Sequence, residues 1–370
     1  MKCIKCQTDN KLRERTANDG RCKNCQHPFA FDPKGMTGIT FTDQFFANCI
    51  SSVSAQDTLF FTPRQLYYAF NARKANSKTP FILGCIGLSA AAVILASAGG
   101  PFFFLLALLL VGAGFSLLLP PVQKRLRSKK PKEPAVTFDQ FGQWLDRWTK
   151  INGPLVKLLP PPSPRKAPAR INPEVAAYSF DRVVVCQHAA VAQFLIANNF
   201  HFEHNCAVLS LEKYPQDIFD TVMQMLRRNP ELKVYALHDA SPGGVQMTHE
   251  LLTDPAWFAD FGNVKIFDLG LLPRQLIDHP AFVLEDYGKL VPKVSAMPAP
   301  VRDALQPAEV KWLEERKYVE VESLGPQRLL RLITAGIAQS RDPNAADTLV
   351  PVEGGDGGSG VYIYSIDSFG

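Results

Sequence analysis

Two long apolar runs dominate the hydrophobic pattern of the chain, at residues 81–98 and 102–119. Each run has 18 residues without a charge, and only Gly-Gly-Pro separates them. With its flanks, each run is just long enough to cross the hydrocarbon core of a bilayer as a helix. Lysines and arginines flank both outer ends, which the positive-inside rule places in the cytoplasm. We predict a two-helix transmembrane hairpin at 81–119, and a buried helical hairpin in a soluble core is the alternative.

After the hairpin, the pattern changes to short apolar runs that alternate with segments of helical periodicity. Buried strands are predicted at residues 183–185 and in AVLSL, KVYAL and VKIFDLGL, with helices between them, including 216–228 and 245–252. Alternation of this kind predicts a mostly parallel sheet covered by helices. Sites in such sheets form beyond the carboxyl ends of the strands. The residues that fall there are Cys186, Gln187, Asp239 and Ser241.

The remaining segments divide around these two parts. Before the hairpin at 81–119, we predict a zinc ribbon at 1–30 and a helix-turn-helix-like segment at 38–76. After the hairpin, we predict a basic juxtamembrane region with an amphipathic helix and a proline-rich linker at 120–176. The α/β domain follows at 177–370 and ends in a glycine-rich loop and a terminal strand. The basic run at 124–132 suits the anionic headgroups of a lipid bilayer. An apolar stripe on the amphipathic helix predicts packing on the α/β domain or a place at the membrane interface. Its members are Phe138, Phe141, Trp144, Leu145 and Trp148.

Four of the eight cysteines, Cys3, Cys6, Cys22 and Cys25, form two C-x2-C pairs that are 15 residues apart. This spacing predicts a four-thiolate zinc ribbon, because each pair can present two sulfurs to one tetrahedral ion. Four protein ligands leave no open position, so we expect the ion to be structural. A redox dithiol is the alternative for a single pair. Paired thiolates with no signal peptide before them indicate a reducing, cytoplasmic location for this segment.

Between the cysteines and the hairpin, two helix starts are marked by capping residues. Thr42 is predicted to cap a helix that runs to about residue 53. A second helix is predicted to open at Thr62, with Pro63 at its first position and Gln65 completing a capping box. Two short helices joined by a polar turn predict a helix-turn-helix or winged-helix element.

The second helix carries the motif Arg64-x-x-Tyr67-Tyr68. It resembles the winged-helix region of the topoisomerase VI A subunit and its relatives, the meiotic double-strand-break enzymes, in which an R-x-x-Y-Y helix carries the tyrosine that attacks DNA. The resemblance implies that Tyr68 is a nucleophile and that Arg64, one turn before it, supplies the activating cation. The alternative is that both tyrosines pack against the partner helix and Arg64 faces solvent.

The α/β part resembles the Toprim domain of the same family over residues 180–280. In that domain an acidic residue ends the first strand, and a D-x-D segment, often followed by proline and glycine, ends a later one. HDASPGGVQM takes the place of the D-x-D segment here, and FDLGLLPRQL resembles the stretch that follows it. The resemblance implies a Mg2+ site for phosphodiester chemistry at Asp239.

The chain departs from this family pattern at the acidic positions. Cys186 and Gln187 stand where the family has its first-strand glutamate, and Ser241 stands in place of the second aspartate. A magnesium site usually takes one or two carboxylates in addition to phosphate and water. Asp268 and Glu203 are the candidates to replace the missing acids. We expect a domain that keeps the fold and has lost, or never had, metal-dependent cleavage.

Composition limits the function only broadly. The chain has 370 residues, 46% of them apolar, which is enough for two or three domains and too apolar for disorder. Its net charge of +5 is modest, so an acidic partner would meet local patches of Lys and Arg. The first hypothesis is a membrane-anchored cytoplasmic binding or assembly protein that engages a protein or nucleic-acid partner. The alternative is a membrane-anchored metal-dependent nuclease or DNA transesterase that uses Asp239, Tyr68 and Arg64, and assembly of several copies stays open in both.

Overall fold

The computed structural model describes residues 1–75, 133–163, 180–229, 231–260, 264–277, 284–285, 294–339, 350–351 and 360–361. The predicted transmembrane hairpin, the basic run after it and most of the proline-rich linker lie outside the described residues. Within the described ranges, no helix combines the length and the apolar character that crossing a bilayer requires. The chain divides into two compact units, Met1–Asn71 with Pro131–Gly370, and Ala72–Lys130. The first unit holds the cysteine module, the helical segment and the α/β domain.

The N-terminal module consists of two similar turns joined by a short helix, α1 (Leu12–Ala17). Isolated antiparallel bridges close the turns, Lys2 with Asp9 in the first and Arg21 with Pro28 in the second. Asp43, at the start of the helical segment, ties the module to that segment. Its fully buried carboxylate accepts hydrogen bonds from the backbone of Ala30 and Phe31.

The helical segment contains α2 (Asp43–Val53) and α3 (Pro63–Ala75), and both helix starts are confirmed. The Thr42 side chain accepts a hydrogen bond from the Phe45 backbone and caps α2. At the start of α3, Thr62 and Gln65 form the predicted reciprocal capping box, with backbone-to-side-chain bonds of 3.0 and 3.1 Å. A polar turn links the two helices, as the sequence indicates.

The amphipathic helix α4 (Phe138–Asn152) packs on this helical segment. Its buried face inserts Phe141 and Trp148 among the rings of Phe31, Phe46 and Phe70, with centroid distances of 5.0 to 6.1 Å. The sequence predicts that the apolar stripe packs on the α/β domain or lies at the membrane interface, and that prediction is wrong for its buried members. The reason is that the segment around α2 and α3 is itself rich in phenylalanine and offers a complementary aromatic surface.

The α/β domain is built on a four-stranded parallel sheet in the order β2-β1-β3-β4. Its strands are β1 (Arg182–Cys186), β2 (Ala207–Ser210), β3 (Lys233–Leu237) and β4 (Lys265–Asp268). Val183 and Val185 of β1 belong to one buried cluster, while Val184 and Cys186 belong to another. Since alternate residues of a strand point to opposite faces, both faces of the sheet are covered. The predicted parallel α/β architecture is confirmed.

Helices follow each of the first three strands. They are α5 (Ala189–Ala197) and α6 (Phe200–Glu203) after β1, α7 (Gln216–Leu226) after β2, and α8 (Pro242–Val245) with α9 (Met247–Thr253) after β3. The sequence predicts one helix over 245–252, whereas the structure starts helical backbone at Pro242 and interrupts it at Gln246. Proline at the first helical position and the Ser241 cap explain the earlier start.

A peripheral layer completes the domain. It contains the antiparallel pair β5 (Leu284–Glu285) and β6 (Lys317–Tyr318), the helices α10 (Ala299–Ala304), α11 (Pro307–Glu314) and α12 (Pro326–Gln339), and a separate pair, β7 (Val350–Pro351) and β8 (Gly360–Val361). Of the predicted terminal strand VYIYSIDSF, only Val361 is described, and it pairs with Val350 rather than with the main sheet.

Candidate functional site

A cleft of about 440 Å³ opens beyond the carboxyl ends of β1 and β3. Sites in parallel α/β sheets form at this edge, so its position agrees with the sequence prediction. Residues from six parts of the chain line the cleft. They are Arg64 and Pro162, Gln187 to Ala190, Glu212, Asp239 with Ser241 and Gly243, and Tyr318 with Glu320 and Glu322.

Asp239 lies in this cleft with 4% of its surface exposed. Its backbone NH donates to the Gln187 side chain on the neighbouring strand end at 2.9 Å. One carboxylate oxygen accepts from the Val321 backbone NH at 2.7 Å, and the other lies 3.0 Å from Nε2 of His188. Both oxygens of Asp239 are therefore engaged by groups of the same chain.

His188 is the N-cap residue of α5 and contacts two carboxylates. Its Nε2 faces Asp239, and its Nδ1 lies 3.8 Å from Glu212. Partial burial lowers the pKa of His188, but the hydrogen bond to Asp239 and the nearby carboxylate of Glu212 outweigh it and raise the pKa to about 10. The imidazole therefore carries a positive charge at neutral pH.

The turn that carries Asp239 is held by very close backbone packing. A Cβ atom at Gly244 would lie 2.0 Å from the Asp239 carbonyl oxygen, so only glycine fits there. The Ser241 hydroxyl accepts from the Gly244 backbone at 3.0 Å and caps α8. Ala240 exchanges two backbone hydrogen bonds with Val319. This bridge brings the segment after β6 against the turn.

That segment places Glu320 beside the start of α3. The two oxygens of Glu320 are held by Arg64, with Nη1 at 2.8 Å, and by the Tyr68 hydroxyl, which donates at 2.9 Å. The Arg64 guanidinium also lies 4.4 Å from the centre of the Phe138 ring. Burial, reinforced by the charge of Glu320, raises the pKa of Tyr68. The hydroxyl thus stays protonated and acts as a donor.

Glu322 also lines the cleft and is buried, with 5% of its surface exposed. It accepts a short hydrogen bond from the Thr62 hydroxyl, across 260 positions of the chain. Burial raises the pKa of Glu322 to about 7, and the negative charge of Glu320 adds to this rise. Three acids, Asp239, Glu320 and Glu322, therefore meet where the helical segment contacts the α/β domain.

The two acids proposed as replacements in the Toprim-like pattern lie elsewhere. Asp268 accepts from the Gly270 backbone at 2.8 Å and forms a 2.9 Å ion pair with the fully buried His238. Burial raises the pKa of Asp268, but the charge and hydrogen bond of His238 lower it by more. Glu203 lies on α6, outside the residues that line the cleft. Neither residue joins Asp239 at the cleft.

The four cysteines of the N-terminal module form a cluster that could hold a metal ion such as zinc. Their sulfur atoms all lie within 4.8 Å of one another. The distance from Cys3 to Cys25 is 3.7 Å, and that from Cys6 to Cys22 is 3.5 Å. Tetrahedral zinc with bonds near 2.3 Å places its sulfurs about 3.8 Å apart, so the cluster has the size that the ion needs.

The two cysteine turns have the same construction. After each C-x2-C pair, a glutamine adopts a left-handed backbone with φ of 59°, Gln7 in the first turn and Gln26 in the second. Asn10 is fully buried between the turns, accepts from the Lys23 backbone at 2.8 Å and donates to the Cys22 sulfur at 3.5 Å. A partner of this kind orients a thiolate ligand from behind.

Among the residues that the structure describes, this cluster is the only group of three or more candidate metal ligands gathered so closely. The loop with His201, Glu203, His204 and Cys206 also carries residue types that bind metals, but it is not such a group. The three acids of the cleft are not one either. The prediction that the four cysteines come together as a cluster able to hold a metal ion is therefore confirmed.

The structure places all three candidate catalytic residues close together. Arg64 and Asp239 line the same cleft, and Tyr68 contacts Glu320 at its edge. Their catalytic roles stay predictions. Sequence reasoning missed His188, Glu212, Glu320 and Glu322. The alternating VEVES stretch after β6 indicates that the last two lie on one face, but it does not indicate that this face is buried.

Comparisons with protein-family models, with curated proteins and with solved structures find no match for this chain. The fold itself defines a coarse class, a chain with an N-terminal four-cysteine cluster, a helical segment and a C-terminal parallel α/β domain. The likeness to the topoisomerase VI A family stays a hypothesis drawn from the sequence.

Proposed function

We propose that the chain is a membrane-anchored cytoplasmic binding and assembly protein. In this proposal Cys3, Cys6, Cys22 and Cys25 hold a structural zinc ion, which fixes the fold of the ribbon. The α/β domain is Toprim-like but without cleavage chemistry. The helical segment, which resembles a winged helix, is a fixed part of the binding surface.

One observation carries the choice of binding over cleavage. The buried carboxylates at the cleft are engaged in contacts that hold segments of the chain together, Asp239 with Val321 and His188, and Glu320 with Arg64 and Tyr68. Magnesium requires carboxylate oxygens that face the ligand and keeps several waters of its own. Carboxylates that hold the chain together support a role in architecture.

Charge favours nucleic acid as the partner of the ribbon. Residues 1–34 contain eight lysines and arginines against four aspartates and glutamates. Six of these basic side chains are exposed and form no ion pair within the described residues, namely Lys2, Lys5, Lys11, Arg13, Arg21 and Lys34. Clustered cations of this kind contact phosphates and release counterions when they bind.

The test is binding of labelled duplex DNA and single-stranded RNA to the full-length protein in detergent, followed by fluorescence anisotropy at several salt concentrations. We expect the affinity to fall with salt, and the slope to decrease by about one for each phosphate contact removed. Replacing Lys2, Lys5 and Lys11 by glutamine should reduce the slope. Replacing the exposed Arg227 and Arg228 of the α/β domain by glutamine is the matched control. Affinity that neither salt nor these replacements change would overturn the nucleic-acid proposal and favour a protein partner.

The second candidate function is metal-dependent cleavage or transesterification of DNA. The observation in its favour is that Asp239, Arg64 and Tyr68, all singled out by the resemblance, come to one place. Supercoiled plasmid incubated with the protein and Mg2+ or Mn2+ distinguishes the two functions. Nicking that Asp239→Ala abolishes would replace the binding proposal. Binding of nucleic acid without nicking would support it.

The membrane anchor has a test of its own. Both flanks of residues 81–119 are proposed to face the cytoplasm. Single cysteines are placed at residue 76 or 133 in a variant that lacks the native cysteines after residue 25. In intact cells, these cysteines should not react with a membrane-impermeant thiol reagent. Labelling of either flank from outside would contradict the hairpin. Extraction of the protein by high salt without detergent would contradict the anchor itself.

A further inference from the structure

The helical segment contacts the α/β domain at two polar points. At the first, the Asn198 side chain at the end of α5 pairs with both backbone groups of Phe60, at 2.9 and 3.1 Å. At the second, which we call the acid junction, Thr62 and Arg64 from the start of α3 contact Glu322 and Glu320. The first point has no titratable group, so its strength does not depend on pH. The second consists mainly of charged groups.

Glu322 is surrounded by charged groups from every element at the acid junction. Arg64 approaches from α3, Glu320 from its own segment, Asp239 from the turn after β3, and His188 from the start of α5. Glu212 faces the outer side of His188 and is itself exposed to solvent. Three enclosed carboxylates thus face two cations. With every group charged, the junction holds one more negative charge than positive charges.

A proton on Glu322 removes this excess without breaking its hydrogen bond. The Thr62 hydroxyl donates to one carboxyl oxygen of Glu322 and accepts from the Gln65 backbone at 3.1 Å. The proton can sit on the second carboxyl oxygen while the first still accepts from Thr62. The protonated junction is therefore neutral and keeps the bond from Thr62, whereas the ionised one keeps a buried charge beside Glu320 and Asp239.

We propose that the acid junction is a proton-dependent latch, in which a proton on Glu322 keeps the start of α3 docked on the α/β domain and the loss of that proton loosens the contact. The proposal concerns the joining of two parts of the chain. It holds whether the chain binds nucleic acid, binds a protein or cleaves DNA.

Proton linkage gives the expected change in the ratio of docked to undocked molecules with pH. Burial, with the charge of Glu320, raises the pKa of Glu322 from its ordinary 4.5 to about 7 in the docked state. Undocking exposes the carboxyl group and returns its pKa towards 4.5, so the docked state binds the proton more tightly. Raising the pH from 6 to 8 then lowers the ratio of docked to undocked molecules by about tenfold.

Two neighbours of Glu322, His188 and Tyr68, keep their protons across this interval. His188 has its pKa raised to about 10 and keeps its charge. The pKa of Tyr68 is raised further above its ordinary value, so its hydroxyl also keeps its proton. Neither of these two groups therefore contributes to a pH response between 6 and 8, and we assign that response to Glu322.

Hydrogen exchange followed by mass spectrometry tests the latch in the full-length protein with detergent present. The readout is the opening constant of the peptide covering residues 62–71, obtained by dividing its exchange rate by the intrinsic rate at each pH. We expect opening to be about ten times more frequent at pH 8 than at pH 6. Glu322→Gln should remove this dependence, because glutamine keeps an acceptor for Thr62 and has no proton to lose.

Glu250→Gln is the matched control, because burial also raises the pKa of Glu250, which lies on α9 and faces Asp254. This variant should keep the tenfold dependence. The native protein provides a second control that no folding defect can affect, since the peptide covering β1 should show no change. Equal opening at pH 6 and 8 in the native protein, an equal change in β1, or a dependence that survives Glu322→Gln would overturn the proposal.

Discussion

Tyr68 donates a 2.9 Å hydrogen bond to Glu320 across 252 positions of the sequence. Arg64, one turn earlier on α3, holds the other oxygen of the same carboxylate at 2.8 Å. Tyr68 is 2% exposed and Glu320 is 6% exposed, so water cannot easily replace either partner. The motif that suggested a nucleophile therefore also fastens α3 to the peripheral layer of the α/β domain.

Removing the Tyr68 hydroxyl should destabilise the protein. Tyr68→Phe leaves one oxygen of a buried carboxylate without its donor, and we expect the free energy of unfolding to fall by about 2 to 3 kcal/mol. Tyr67→Phe is the matched control, because the Tyr67 hydroxyl donates to the neutral carbonyl of Val136, and its loss should cost about 1 kcal/mol. Urea unfolding followed by tryptophan fluorescence measures both. An equal or smaller effect at Tyr68 would show that Glu320 does not depend on this bond.

Two adjacent glycines in the HDASPGG turn should respond very differently to alanine. A Cβ at Gly244 would lie 2.0 Å from the Asp239 carbonyl, which is backbone and cannot move away cheaply. We expect Gly244→Ala to lower the free energy of unfolding by about 3 kcal/mol or more. A Cβ at Gly243 meets only the Gln187 side chain, at 3.5 Å, so Gly243→Ala should change stability by less than about 1 kcal/mol. Thermal unfolding of the two variants side by side tests the pair, and similar melting temperatures would contradict the tight turn.

Metal analysis tests the cysteine cluster. The purified protein should contain about one zinc ion per chain, and Cys6→Ser should lose most of it, because three thiolates with a hydroxyl bind zinc far more weakly than four thiolates do. Cys49→Ala is the control, because Cys49 is buried in the aromatic core of α2 and lies outside the cluster. A strong chelator should unfold residues 1–30 and leave the α/β domain folded. Full zinc content in Cys6→Ser would refute the four-thiolate site.

The pKa values of two histidines should be shifted in opposite directions from the ordinary value. The hydrogen bond to Asp239 and the nearby carboxylate of Glu212 raise the pKa of His188 to about 10, whereas burial lowers the pKa of His201. The charge on His188 stabilises the fold most at a pH below its ordinary pKa of 6.5, and this stabilisation is lost as the pH rises through about 10. The His188 side chain is 45% exposed, so solvent screening should make the stabilisation modest.

Nuclear magnetic resonance of the imidazole protons measures this difference directly. At pH 8 the His188 ring should still be protonated on both nitrogens and positively charged, whereas the His201 ring should be neutral. Asp239→Asn should bring the His188 titration down towards its ordinary range, while leaving that of His201 unchanged. A His188 ring that is neutral at pH 8 in the native protein would contradict the charge assignment at the cleft.

Local chemistry made the helix starts and the sheet predictable. The capping box of Thr62 and Gln65 involves residues three positions apart, so the sequence alone contains all the information. The strand RVVVC is buried on both faces, and its unbroken apolar character indicates this directly. Asp239 follows such a strand, and its place at the sheet edge could therefore be predicted.

The acids opposite α3 could not be found in this way. In VEVES, alternation predicts valines turned inward and glutamates turned outward, as on a half-exposed strand. Val319 and Val321 are indeed buried, but so are Glu320 and Glu322, because the helical segment covers the other side. The covering residues lie about 250 positions earlier in the sequence. A local pattern of period two contains no information about contacts over that separation. His188 was missed for a similar reason, since its partners Asp239 and Glu212 lie on other elements.

The long separation between Tyr68 and Glu320 also has a consequence for synthesis on the ribosome. The chain elongates at about 5 to 20 residues per second, so Glu320 is synthesised roughly 13 to 50 seconds after Tyr68. During that time the cysteine turns and the aromatic core of α2 to α4 can form, because their partners lie within the first 152 residues. The polar start of α3 is completed only when residue 322 has left the exit tunnel.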